Sequence, residues 1–387
     1  MPRISPFRGL LFDEARVGPL AAATAPPYDT VDPRLRRRLT SSSPYNIVHL
    51  DLPELESAVD AADDQYTGAA SLLRRWREEG ALRLLSRPAI YPYEMRFRFE
   101  GEPRRIRGVI CEVELEQWGG SIVPHEDTMP GPVEDRLRLA RALRTNLSAV
   151  YALFPGPRPD LRRYMDDVTS SPPPLRVTDE EGVEHRMWVV EGDVPDLPRH
   201  DSLLIADGHH RYTMALRYRE EMRAEHGPGP WDRQMMFLVD AAVERPPVLP
   251  IHRVLLDAPP PEPGERVRDL EELSAALDDE RLTFGVIRRE EGMTVHEIGS
   301  VEGEPPTVCA LTDRVAALRD VAQLRFTHDA VEAEASVRSG EAASAYLLPP
   351  TSAERIRGVI DASERMPQKS TYFWPKPRTG MVLRPLE

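Results

Sequence analysis

The segment Ser202–Leu216 (SLLIADGHHRYTMAL) brings an acid, a glycine, two histidines and an arginine together at one point of the chain. An apolar run reads as a short buried strand, and it delivers Asp207 and Gly208 into a turn. A helix is expected to start right after His209 and His210 and to run over Tyr212–Ala224. Helix starts expose unpaired backbone N–H groups and the positive end of the dipole, which suits phosphate or carboxylate. His209, His210 and Arg211 add donors and positive charge there. Asp207 could orient a histidine or hold a metal ion. A capped turn with a hydrogen-bonded histidine pair is the plainer reading. A strand end opening into DGHHR and a helix favours the anion site.

Two further segments carry chemistry. In Ile122–Asn146 (IVPHEDTMPGPVEDRLRLARALRTN), His125, Glu126 and Thr128 fall in a loop beyond a strand. Asp135 and Arg136 then open a helix expected over about Glu134–Asn146. A carboxylate beside a histidine suits general-base work, and an arginine at a helix start suits an anion. A solvated loop with a capped helix would look the same. In Arg365–Leu383 (RMPQKSTYFWPKPRTGMVL), Lys369, Ser370 and Thr371 could contact a phosphate, while Tyr372, Phe373 and Trp374 read as the packing of a terminal strap.

The elements that must position these groups alternate between helix and strand. A helix is expected from about Asp63 to Glu79, with Tyr66, Ala69, Leu72, Leu73 and Trp76 on one face and Gly80 as its stop. AIYPYEMRFRF and RIRGVICEVELE read as a hairpin, and QMMFLVDA as another buried strand. The first fifty residues are irregular and proline-punctuated, either an arm over the core or loops feeding a pocket. Ala258–Glu265 (APPPEPGE) reads as a linker. The expected organisation is a catalytic region over 1–255, a linker over 256–265, and a C-terminal α/β region over 266–387. The class is α/β, mixed α+β, with mixed sheets.

Composition narrows the function. Of 387 residues, 41% are hydrophobic and 29% charged, an ordinary globular balance despite 39 prolines. The net charge of −14 repels polyanions, so nucleic acid is not the expected partner. No run of eighteen apolar residues offers a membrane span, and the N-terminus has no cleavage pattern; the cytoplasm is the expected place. Cys111 and Cys309 stand far apart without a partner motif, so neither a disulfide framework nor a cysteine metal site is expected. The P-loop, GxGxxG, HExxH and GxSxG patterns are absent, which argues against Walker-type and Rossmann enzymes.

Taken in order, RISPFRGLLF, APPYDTVD, SPYNIVHLDLP, PHEDT with EDRL, DGHHRYTMAL and MPQKSTYFWPKPRTG resemble the bacterial and archaeal family known as domain of unknown function 1015. The match runs from residue 3 to residue 383. DGHHR is also similar to the box of the ParB/sulfiredoxin superfamily, whose members use it to hold phosphates of ATP, ADP or CTP and include kinases of free serine. The resemblance implies a ParB/sulfiredoxin-like core with a family-specific additional subdomain. It also implies phosphoryl transfer from ATP, ADP or pyrophosphate to the hydroxyl of a small metabolite such as serine. Under it Glu126, with His125 beside it, matches the general base. Asp207, Gly208, His209, His210 and Arg211 match the phosphate and metal box, with Mg²⁺ at Asp207. Arg136 would hold a substrate carboxylate or a phosphate. A homodimer is compatible with it. One position departs: Val133 stands where the family carries a lysine, which bears on donor specificity and on activity. A ParB-like nucleotide-binding regulator and a phosphohydrolase are the alternatives.

Overall fold

The computed structural model describes all residues except 1–2, 55–63, 193–201, 258–263, 316–317, 319–323, 353–354, 357 and 360–363. Most of the expected linker therefore lies outside the described residues. The mixed α/β class expected from the sequence is the class observed. No helix among the described residues is long and apolar enough to cross a membrane.

The chain forms two compact units that do not follow its halves. The first comprises residues 1–124, 128–246 and 375–387, and the second residues 125–127 and 247–374. The boundary falls at Pro246–Pro247, ahead of residue 255, because the strand His252–Leu255 pairs on both sides within the second unit. The last thirteen residues return to the first unit. Leu383 and Leu10 exchange backbone hydrogen bonds, as do Thr379 and Ala25, and Arg384–Pro385 pairs with Thr145–Asn146.

The first unit is built on a mixed ten-stranded sheet. Its path runs Ile122–Val123, Leu203–Asp207, Val150–Phe154, Arg233–Asp240, Glu102–Glu114, Ala89–Phe99, Glu184–Met187, Leu175–Thr178, with Ile4–Ser5 and Val190–Glu191 pairing at the side. The Ala89–Phe99/Glu102–Glu114 hairpin is tighter than expected: Glu100 and Gly101, both at positive φ, make the turn, and EPR already belongs to the second strand. The N-terminal segment, expected to be irregular, carries four α-helices and a 3-10 helix before Leu52, with Phe7, Leu10 and Phe12 buried.

Two helices frame the DGHHR turn. One runs over Pro130–Leu143, starting and ending a turn earlier than expected. Pro130 can occupy a first helical turn because its missing N–H has no partner there, and Arg144 at φ 45° ends the helix. The other runs over His209–His226, so the two histidines form its first turn instead of preceding it. Val133, Leu137 and Ala140 of the first helix pack with Met214, Tyr218 and Met222 of the second. Both sets recur at the three- and four-residue spacing of a helical stripe.

The second unit holds a six-stranded sheet in which every recorded pairing is antiparallel. Its order is Glu265–Val267, Met293–Ser300, Thr283–Glu290, Ser344–Leu347, His252–Leu255, Leu324–Thr327. Both faces are covered. Val254, Ile287, Ala345 and Leu347 point into one core with Ala333 and Val337, whereas Leu255, Val286 and Tyr346 point into another with Val308 and Leu311. Adjacent residues of a strand face opposite sides, so these strands are apolar at successive positions.

His252 sits 3% exposed in this sheet, its Nδ1 accepting the Leu348 N–H at 3.1 Å. Burial, aided by Arg253 and His328, pulls the ring from 6.5 down to about 4. The unfolded chain thus takes up a proton near pH 6.5 that the folded chain refuses until about pH 4. Stability is full above that window and falls as pH drops through it, by up to about 3 kcal/mol. Denaturant melts at pH 4.5 and 7.5 should show this loss, and His252→Gln should flatten it.

Candidate functional site

In the first unit, Asp207 ends the strand Leu203–Asp207, and Gly208 at φ 95° turns the chain into the His209–His226 helix. That left-handed conformation suits glycine, and a Cβ there would also come within 3.0 Å of the Arg211 guanidinium. One helical turn on, Arg211 donates from Nη2 to Asp207 Oδ2 at 2.5 Å. Its Nη1 donates to Ser148 Oγ at 2.8 Å and to the Ala149 carbonyl at 2.5 Å. The other Asp207 oxygen, Oδ1, lies 2.5 Å from the Lys376 ammonium, which also reaches Asp29 Oδ2 at 3.3 Å. Asp29 and Lys376 thus join the cluster without having been expected there. Asp29 stands in APPYDTVD and Lys376 in the last quoted motif, PKPRTG; their place within motifs of the family pattern was the available signal.

His209 is buried in the first turn of the helix. His210 Nε2 accepts the backbone N–H of Met129 at 3.0 Å, so it ties the two helices together. Accepting there puts the proton of the neutral ring on Nδ1.

Arg136 lies midway along its helix, not at the start, and its guanidinium is enclosed by protein groups. Nη1 donates to the Asp51 carbonyl at 2.8 Å and to Asp51 Oδ1 at 2.9 Å. Nε and Nη2 reach Asp135 Oδ2 at 2.8 and 2.6 Å, and the group lies 4.4 Å from the centre of the Tyr28 ring. Tyr66 donates to the remaining Asp135 oxygen at 2.7 Å. Burial pushes the Asp51 carboxyl up against the pull of Arg136 and Arg211. The helix start itself carries Pro130 and Pro132, which have no N–H to offer an anion. Val133 is 1% exposed and packs in the helix–helix core, so a charged group at that position would have to be buried.

The second unit contains the other predicted group. Its segment His125–Asp127 runs beside Met366, and the Glu126 carboxylate faces the turn Lys369–Thr371. Oε1 accepts from the N–H groups of Ser370 at 3.0 Å and Thr371 at 2.8 Å, and from Thr371 Oγ1 at 2.8 Å. Oε2 accepts from the N–H of Lys369 at 3.1 Å. Lys369 adopts φ 55°, which turns the three successive amides toward one anion. His125, wholly buried, has Nε2 2.7 Å from Thr371 Oγ1 and 3.5 Å from Glu126 Oε1. The residues expected to contact a phosphate therefore turn their backbone amides to a carboxylate of the chain itself. Arg253, also buried, is pulled by desolvation down to about 10, with Glu126 opposing that pull. It stands in the apolar run LPIHRVLL, where a charged residue at a strand position is a signal of its own.

The Mg²⁺ implied at Asp207 does not fit the residues found there. One oxygen is held by an ammonium and the other by a guanidinium. Among the described residues, no group of three or more histidine, cysteine, aspartate or glutamate side chains could hold a metal ion.

Fold and site together define a mixed α/β protein with a buried, ion-paired strand–turn–helix site. The profile of a family described as "Protein of unknown function (DUF1015)" matches residues 4–324, and the chain belongs to that family. A search of curated proteins found no match. Among solved structures, it is similar to a conserved hypothetical protein from Pyrococcus furiosus at 15% identity and TM-score 0.39, over 68% of this chain and 89% of that one. A structure titled free serine kinase in complex with AMP shows 13% identity and TM-score 0.41, over 68% and 86%. SbnI with C-terminal truncation, from Staphylococcus aureus, shows 11% and 0.36, over 70% and 84%.

The enclosure of Arg136 makes it a structural cation. Arg136→Met strands the buried Asp51 carboxylate and should lower stability by about 3–5 kcal/mol. Adding Asp51→Asn should recover part of the loss. Urea unfolding of both variants checks this; an unchanged midpoint in Arg136→Met would return the arginine to a ligand-binding role.

Proposed function

We propose that this protein is a phosphotransferase that moves a phosphoryl group from ATP, ADP or pyrophosphate to the hydroxyl of a small metabolite, with free serine as the first candidate. The observation that carries the reading is the Asp207–Arg211 cluster. It sets a guanidinium and an ammonium, fixed by a shared carboxylate, at the N-terminus of an eighteen-residue helix. Such an end attracts phosphate through its amides and dipole. Phosphoryl transfer asks mainly for positioning and charge neutralisation. In the step itself, the acceptor oxygen bonds to phosphorus as the bond to the leaving phosphate breaks. The acceptor proton passes to a base, and the reading assigns that role to Glu126.

Glu126 has a competing duty as the clamp of Lys369–Thr371, and one experiment separates the two. Incubating the protein with each donor and a panel of amino acids, followed by phosphorus NMR, should yield phosphoserine with serine alone. Free phosphate formed without an acceptor would mark a hydrolase; bound donor without turnover would mark a nucleotide-binding regulator. Glu126→Ala should lower turnover roughly 100- to 10,000-fold, and added formate should restore part of it. A variant that melts like the parent yet gains nothing from formate would take the base assignment away.

A further inference from the structure

The misfit of a metal at Asp207 has a positive side. Asp29 and Asp207 present two carboxylates to one point, the arrangement in which a divalent cation would be sought. That point holds the ammonium of Lys376, 2.5 Å from one and 3.3 Å from the other, on a side chain only 7% exposed. We propose that Lys376 occupies the cation position of this site, and that its ammonium, rather than a divalent ion on Asp207, meets the oxygens of a pyrophosphate or nucleoside polyphosphate. The identity of the ligand rests on the phosphotransferase reading; the place of the lysine does not.

Three features hold the ammonium there. Pro375 and Pro377 flank Lys376 and restrict the backbone on both sides. Arg378, two residues on, donates from Nε to Thr24 Oγ1 at 2.8 Å and from Nη1 to Glu180 at 2.9 Å. Thr379 then exchanges backbone hydrogen bonds with Ala25 at 2.8 and 3.1 Å. The electrostatics point the same way. Asp207 already faces an ammonium, a guanidinium and the positive end of a helix. A divalent ion on it would meet repulsion from all three, whereas a polyphosphate meets their attraction against the repulsion of Asp29 and Asp207, whose charges Lys376 and Arg211 offset. An ammonium is a compact point charge suited to phosphate.

The test uses the full chain and two probes. Manganese titration followed by electron paramagnetic resonance should find no stoichiometric site in the parent protein. Lys376→Met should gain one Mn²⁺, because it leaves Asp29 and Asp207 facing each other, and adding Asp207→Asn should remove it. Calorimetry with pyrophosphate in EDTA should show binding to the parent, weakened roughly 10- to 100-fold in Lys376→Met. Stoichiometric Mn²⁺ in the parent that disappears with Asp207→Asn would overturn the proposal. So would pyrophosphate binding that vanishes in EDTA and returns with Mg²⁺. Both reversals are read partly or wholly on the parent protein, so they stand even if Lys376→Met folds poorly. If pyrophosphate binds under neither condition, the phosphotransferase reading and the ligand half of this proposal fall together, and the Mn²⁺ titration alone decides the place of the lysine.

Discussion

A carboxylate with a guanidinium on one oxygen and an ammonium on the other fixes the geometry around Asp207. Each partner comes from a different part of the chain. Arg211 arrives one helical turn after the strand end, and Lys376 arrives from a segment far along the sequence. The strand supplies the acid at a fixed height, and Gly208 at φ 95° allows the helix to begin at once. The packed stripe Val133, Leu137, Ala140 against Met214, Tyr218, Met222 holds that helix in place. Removing one partner of such a buried pair leaves an uncompensated charge, which is far less tolerable than losing an exposed ion pair. The apolar architecture of the first unit is therefore tied to a charged centre.

Glu126 repeats the theme in the second unit with backbone donors. Three consecutive amides and a hydroxyl converge on its carboxylate, and the left-handed Lys369 makes the convergence possible. The same turn would suit a phosphate on residue type alone. Occupation by an internal anion changes what the turn does, since it then secures the segment His125–Asp127 to the strand-forming residues 371–373.

Local signals in the sequence located much of this. The strand, turn and helix of DGHHR, the hairpin of the large sheet and the helix over Asp64–Glu78 follow from periodicity and from glycine. Three features did not follow, each for a physical reason. The Pro130 start of its helix was hidden because proline reads as a breaker, although a first turn accepts it. The enclosure of Arg136 depends on Asp51 and Tyr28, distant partners that no local pattern names. Lys376 and Asp29 stood in motifs already noticed, but their convergence on Asp207 is a property of the fold, and a lysine between prolines reads first as part of a loop.

The return of residues 375–387 to the first unit has a consequence for biosynthesis. Most of that unit is synthesised before residues 247–374, yet Leu383, Arg384 and Leu386 of its core contacts emerge only after the whole second unit has been made. Closure of the first unit therefore waits for residues that follow the second unit in the chain. Until then the nascent chain carries Asp207 without its ammonium and the Leu10 edge without Leu383. A chain whose translation stops before residue 375 would contain every strand of the large sheet and still lack the ammonium of its charged centre. Domains generally fold as units during synthesis; here the unit is assembled from segments that the second unit separates along the chain.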